Sequence, residues 1–248
     1  MSADRKRALV VGASRGVGRA TAIELGGRGY DVALAFATNR EGAEKTAADL
    51  PSGCTSVLIQ CDLATDATGI VAQAVDGLGG LDTVVVTAVP VIVGPIDTVT
   101  PEEANRAFDV TVHGFRELAL AARPHLAPGG SIIAVSSLGS DRTAAFYGAL
   151  GPAKAALEAT VRYLAVSLGR DRIRVNGIAP GMIDDPDHVV DAPDVSALLP
   201  ATAKRTPLGR QLPTPGDIAR TIAGLLSDDM AFVTGQILKV DGGYSLPL

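Results

Sequence analysis

Seven short apolar runs separated by stretches of helical character constrain this chain more than any other feature of its sequence. The runs are residues 8–11, 32–36, 57–60, 83–87, 131–135, 174–178 and 237–240. Within them apolar residues follow one another rather than alternating with polar ones, which suits strands covered on both faces, as in a parallel sheet. Helical candidates lie between them at 16–28, 40–50, 65–78, 101–122, 152–168 and 215–226. Two of these carry start signals. Thr100-Pro101-Glu102-Glu103 has the spacing of a capping box with proline at the first helical position, and Thr214-Pro215-Gly216-Asp217 imitates it. Strands separated by helices imply right-handed βαβ units and a doubly wound α/β sheet of about seven strands with helices on both faces.

The 248 residues, 47% of them hydrophobic, suffice for one large core, and a single domain over 1–248 is expected. Twenty-two basic against twenty-seven acidic residues leave a net charge of -5 with no basic stripe, which argues against nucleic acid as a partner. Only residues 8–11 are apolar between the charged start (Met1 to Arg7) and the first glycine, too short for a signal peptide. No run reaches membrane-spanning length, so a cytoplasmic protein without a membrane partner is expected. Cys54 and Cys61 flank the third apolar run and have neither metal-ligand spacing nor a disulfide framework.

Gly12, Gly16 and Gly18 stand between the first strand and the first helix, the context in which such glycines bind a nucleotide's phosphates. Gly12 permits the tight turn, Gly16 lets the backbone approach a pyrophosphate, and Gly18 allows close contact between helix and sheet. The exposed N–H groups and the helix dipole then attract phosphate. The fold expected is therefore of Rossmann type. Gly12-Ala13-Ser14-Arg15-Gly16 also fits the G-x-S-x-G elbow of serine hydrolases. That fold requires strands before the elbow and a histidine late in the chain, whereas here the elbow follows the first strand and the last histidine is His188. An NAD site normally offers an acid at the end of the second strand. Ala35-Phe36-Ala37-Thr38-Asn39-Arg40 has none, while Arg15 and Arg40 can grip a 2′-phosphate, so NADPH is favoured over NADH.

The chain resembles the short-chain dehydrogenase/reductase family over essentially its full length. The turn carries the family's three glycines, with Val11 where threonine is usual. Asp62 matches its adenine-contacting acid, Arg174 to Gly181 its sixth strand and nicotinamide-side turn, and Val240-Asp241-Gly242-Gly243 its closing strand. From Ser136-Ser137-Leu138-Gly139-Ser140 through Tyr147 and Lys154 to Arg162-Tyr163-Leu164-Ala165-Val166, the resemblance is to enoyl-acyl-carrier-protein reductases, particularly the NADPH-using type III enzymes. Six residues separate Tyr147 from Lys154, where most of the family has three. Separations of four and seven both return to roughly one helix face. Pro152 after Gly151 suggests a helix starting just before Lys154, with Tyr147 on the lead-in, farther from the nicotinamide. In a ketone the carbon receiving hydride bears the oxygen that needs a proton. In an enoyl thioester the charge collects farther along the conjugated chain, so a displaced acid suits the second reaction.

What the resemblance implies is catalysis by Tyr147, Lys154 and Ser137. Lys154 would hold the nicotinamide ribose and lower the Tyr147 pKa, and Ser136 is the alternative to Ser137. The implied cofactor set is Gly12, Ser14, Arg15, Gly16, Val17 and Gly18; Thr38, Asn39 and Arg40; Asp62 and Leu63; Ala88; Lys154; and Pro180, Gly181 and Ile183. No metal is expected. The chain departs from the family at Thr87-Ala88-Val89-Pro90, where Asn-Asn-Ala-Gly is usual. It departs again at Thr111, near Asp109, in place of an asparagine, and at Asp185 or Asp184 in place of a threonine. The acidic 184–187 stretch also reads as a solvated run.

Residues 179–213 are rich in Pro, Asp and Gly, with one short helix expected near 195–199. A stretch of this kind on the carboxyl edge of the sheet reads as a substrate lid over about 182–213. Residues 91–95 and the lid would line an acyl channel. The expected substrate is an acyl thioester, on acyl carrier protein or coenzyme A, or another small molecule. A ketone reductase of specialised metabolism and a non-catalytic nucleotide-binding partner are the alternatives. A homotetramer or homodimer is implied, built on the helices at 101–122 and 152–168, with Ala155, Ala156, Ala159 and Val166 either at its contact or facing their own sheet.

Overall fold

Every expected apolar run forms a strand in the computed structural model, which describes residues 5–187 and 193–246. The strands are β1 (Lys6–Val11), β2 (Tyr30–Phe36), β3 (Ser56–Gln60), β4 (Leu81–Val86), β5 (Leu126–Val135), β6 (Arg174–Pro180) and β7 (Ile237–Val240). They pair in parallel in the order β3-β2-β1-β4-β5-β6-β7. The helices are α1 (Gly16–Gly27), α2 (Arg40–Ala48), α3 (Ala67–Leu78), α4 (Pro101–Phe108), α5 (Phe115–Ala122), α6 (Leu150–Leu168), α7 (Pro193–Arg205) and α8 (Pro215–Leu226).

Two cores explain the unbroken apolar runs. Leu9 and Val11 of β1 point into one cluster with Ile70 of α3, Leu118 of α5 and Val161 of α6. Ala8 and Val10 point into the other, with Leu25 of α1 and Ile222 of α8. Successive strand residues face opposite sides, and both sides are covered in the inner strands, while the edge strands β3 and β7 leave Leu58 and Leu238 exposed. The chain leaves β1 on one side of the sheet's midline and β4 on the other. The crevice where ligands bind in such sheets therefore opens between the β1–α1 and β4–α4 connections.

Both anticipated start signals are full capping boxes: Thr100 with Glu103, and Thr214 with Asp217. The helix expected over 101–122 is not uniform. A π-helical turn, Asp109–Gly114, separates α4 from α5, and Gly114 passes so close to the end of β3 that a Cβ would lie 2.7 Å from the Leu63 carbonyl oxygen. No proline follows Pro101 in this run to mark such a turn, so the sequence reads as one helix.

The stretch after β6 is more regular than its composition suggests. Instead of a short helix near 195–199 it contains the 13-residue α7, with Pro200 inside. His188 and residues 188–192 of the expected lid lie outside the described residues, as does Met1–Asp4 of the charged start. On α6, Leu157, Val161, Leu164 and Leu168 are buried toward the sheet. Ala155 and Val166 are exposed, facing away from the subunit's own strands, and Ala156 and Ala159 are half-buried.

Candidate active site

The turn between β1 and α1 is shaped by close approach. Gly12 has φ +92, and a Cβ on it would lie 2.5 Å from Thr87 Oγ1 and 2.8 Å from the Ala88 nitrogen. On Gly18 a Cβ would fall well inside the Gly12 carbonyl oxygen and 2.6 Å from Thr87 Oγ1. The Thr87 hydroxyl donates to the Val11 carbonyl at 2.9 Å, and Thr46 donates to the Ala13 carbonyl at 2.9 Å. Thr87 thus braces the turn from β4, a role that its place after the fourth strand did not announce. The first turn of α1 has no side-chain cap and no acidic residue of its own, so its N–H groups face the crevice unpaired by their own helix. This arrangement fits the phosphates of a dinucleotide. Ser14 and Val17 are half-buried in the turn and Arg15 is exposed, with no ion-pair partner among the described residues.

Thr38, Asn39 and Arg40 are exposed beyond β2. Asn39 caps α2 through Gly42 N–H at 3.0 Å. The Arg40 guanidinium lies 5.5 Å from the Phe36 ring centroid and donates to Gln60 Oε1 at 2.8 Å, which holds it beyond the ends of β2 and β3. Beyond β3, burial pulls the Asp62 carboxyl up, but Arg106 (2.7 Å) and the Ala64 N–H (3.0 Å) outweigh it and hold the group below the ordinary carboxylate range. Arg106, on α4, escaped sequence reasoning because nothing in the order of residues links it to Asp62. Leu63 is buried in the core, so only its backbone remains for a ligand. Ala88 packs beside Gly12, while Pro180, Gly181 and Ile183 carry β6 into the crevice, Gly181 N–H donating to the Val240 carbonyl at 3.2 Å.

Three consecutive residues at the end of β5 gather the reactive side chains. The Val135 carbonyl accepts from Lys154 Nζ at 2.7 Å. The Ser136 hydroxyl donates to Glu158 Oε1 at 2.7 Å. Ser137 lies beside Tyr147, whose phenol is pushed up by burial while the Ser137 hydroxyl acts in the opposite sense. Ser137, not Ser136, is therefore the serine at the phenol. The expected lowering of that phenol by Lys154 is not found, because the ammonium is turned to Val135. Burial lowers Lys154 to about 8, with Glu158 opposing the fall.

Tyr147 precedes α6, which starts at Leu150, two residues earlier than its proline suggested. The helical position four before Lys154 is taken by Leu150, buried in a small core with Ile92 and Ala153. The Tyr147 ring instead lies over Gly139, where a Cβ would be 2.7 Å from Cε1. Its backbone is stitched to the β4–α4 connection: Gly94 N–H donates to the Phe146 carbonyl and Gly148 N–H to the Gly94 carbonyl, both at 2.9 Å. Val91 and Val93, 57% and 43% exposed, stand on that same connection.

Of the two candidate aspartates at the lid's start, Asp185 reaches the glycine turn: a Cβ on Gly16 would lie 2.6 Å from Asp185 Oδ2. Asp184 is exposed. Thr111 sits buried in the π turn with its hydroxyl unpaired among the described residues, and Asp109 is exposed. Among the described residues no helix is long and apolar enough to cross a membrane.

Comparison with known proteins agrees with this geometry. Residues 12–245 match the family model described as Enoyl-(Acyl carrier protein) reductase. The chain is 37% identical to versicolorin reductase stcU of Emericella nidulans, covering 97% of this chain and 96% of that one. It is 34% identical to 1-cyclohexenylcarbonyl-CoA reductase of Streptomyces collinus, covering 99% and 89% respectively. A short chain dehydrogenase from Burkholderia cenocepacia, solved in complex with NADP, superposes with a TM-score of 0.88 at 30% identity, over 96% of this chain and 97% of that one.

Proposed function

Because this chain belongs to the short-chain dehydrogenase/reductase family, we propose that it transfers hydride from NADPH to the carbon–carbon double bond of an enoyl thioester. The observation that carries this reading is the location of Tyr147 on the lead-in to α6, with buried Leu150 at the helical position nearer Lys154. When hydride enters the β-carbon, negative charge collects on the thioester carbonyl oxygen. The Tyr147 phenol, kept protonated by burial, donates to that oxygen, and a hydrogen bond aimed at developing charge lowers the barrier. Lys154 would hold the cofactor's ribose, the amides at the start of α1 would take the pyrophosphate, and Arg15 and Arg40 would take the 2′-phosphate. Exposed Val91 and Val93 offer the acyl chain an apolar wall beside the Tyr147 segment. The similarity to a reductase named for an acyl-CoA supports a thioester substrate, and an acyl carrier protein would present the same group.

A second reading is reduction of a carbonyl group. Ser137 beside the phenol favours it, as does the similarity to a reductase named for versicolorin. Parallel assays with crotonyl and acetoacetyl thioesters and NADPH decide between the two. Turnover of the crotonyl compound at least about tenfold faster is expected, and the reverse order selects carbonyl reduction. NADPH binding without oxidation by either compound would instead favour a nucleotide-binding partner. The exposed α6 face bearing Tyr163 and Val166 is the surface on which a homodimer or homotetramer would form.

A further inference from the structure

We propose that Glu158 is the positioning residue that keeps Lys154 charged and aimed, acting through Ser136 and the end of β5. The inference rests on Lys154 being the lysine that holds the cofactor, but not on which bond is reduced. Glu158 follows Lys154 by four residues on α6, so the two side chains share one helix face. They are not an ion pair. Glu158 is held by the Ser136 hydroxyl at 2.7 Å and Lys154 by the carbonyl of the preceding residue, Val135, also at 2.7 Å. Adjacent residues of one strand end thus hook side chains one helical turn apart, fixing both the separation of the two charges and the direction of each.

Lys154 is 3% exposed and donates to one neutral carbonyl, so its charge depends on whatever opposite charge lies near. The other charged groups on α6 and on the elements packed against it are Arg162 of α6, Arg170 and Asp171 of the turn that follows it, Asp109 and His113 of the π turn, Glu102, Glu103 and Arg106 of α4, Arg116 and Glu117 of α5, and Arg174 of β6. None of these acts on the lysine, whereas Glu158 does. Asp141, just after Ser140, is paired with Lys239 at 2.5 Å. Tyr147 is neutral at physiological pH. One carboxylate therefore decides whether the buried amine remains a cation.

The clean test is Glu158→Gln, whose amide oxygen can still accept from Ser136, so that charge is removed while shape and hydrogen bond are kept. The Lys154 side chain is titrated by NMR with isotopically labelled lysine, its resonance assigned by loss in Lys154→Arg. NADPH affinity is followed by fluorescence over the same pH range. An opposite charge held one helical turn away is worth roughly one pH unit. The expected results are a Lys154 midpoint lower by about that amount, and NADPH binding preserved at pH 6 but lost at lower pH than in the parent. Glu158→Asp should restore most of the shift. A role in folding alone would lower affinity equally at every pH. An unshifted lysine titration, or a pH-independent loss, overturns the proposal. If Glu158→Gln fails to fold, Ser136→Ala decides: releasing the carboxylate from its hook must move the Lys154 midpoint, and an unmoved midpoint is equally fatal. Neither readout uses a substrate, so failure here is separable from failure of the enoyl reading.

Discussion

Lys154 Nζ donates to the Val135 carbonyl at 2.7 Å, which ties the buried cation of α6 to the strand end bearing both site serines. Burial holds this amine near 8, well below its ordinary 10.5. Between about pH 8 and 10 the unfolded chain binds a proton that the folded chain does not, so in this window stability rises with pH. Replacing Lys154 with methionine should remove that rise, worth on the order of a few kcal/mol. Urea unfolding at pH 8 and pH 10 checks it, and equal slopes for parent and variant would count against a desolvated lysine.

Tyr147→Phe should cut turnover by about 10²–10⁴-fold while leaving NADPH affinity within roughly twofold, since only the donor is lost. Because burial raises the phenol above 10, the proton-donor form persists through the neutral range. Turnover in the parent should therefore show no loss from phenol ionisation between pH 7 and 9. Undiminished turnover in the variant would remove the phenol from the mechanism.

Gly18→Ala places a methyl against the Gly12 carbonyl and 2.6 Å from Thr87 Oγ1, with backbone on one side and a bracing hydroxyl on the other. Neither can yield without moving the turn. Destabilisation of about 3 kcal/mol is expected in the ligand-free protein, read from denaturant midpoints. A loss under 1 kcal/mol would mean that α1 can slide away from β4.

Arg15→Ala should weaken NADPH binding by roughly 10- to 100-fold, the worth of a charged hydrogen bond, and leave NADH nearly unchanged. Titration of both nucleotides gives the answer. Equal weakening would assign Arg15 to the pyrophosphate rather than the 2′-phosphate.

Asp185 lies against Gly16 at the start of α1, where its charge complements the helix dipole but opposes an incoming phosphate. Asp185→Asn should lower ligand-free stability by roughly 0.3–1 kcal/mol and tighten NADPH binding several-fold at low salt. The opposite signs are the test. A variant that is both less stable and a weaker binder would show Asp185 to be a cofactor ligand.

The order of residues was enough to determine the strands, both capping boxes, the glycine turn and Tyr147 on a lead-in segment. These follow from short-range physics: apolar runs that need cover, N–H groups that need caps, and glycines that permit a tight turn, whereas Pro152 misplaced the start of α6 by two residues. Other features came only from the folded chain, because they join residues far apart in the sequence. Arg106 meets Asp62 across 44 residues, and the Ser136 hydroxyl finds Glu158 across 22. The π turn that separates α4 from α5 is marked by no proline in the sequence. The ionisation of Tyr147 and Lys154 was likewise not legible. The resemblance implied that the cation would lower the phenol, but the ammonium donates to Val135, and burial, which depends on everything packed around the phenol, pushes it up instead.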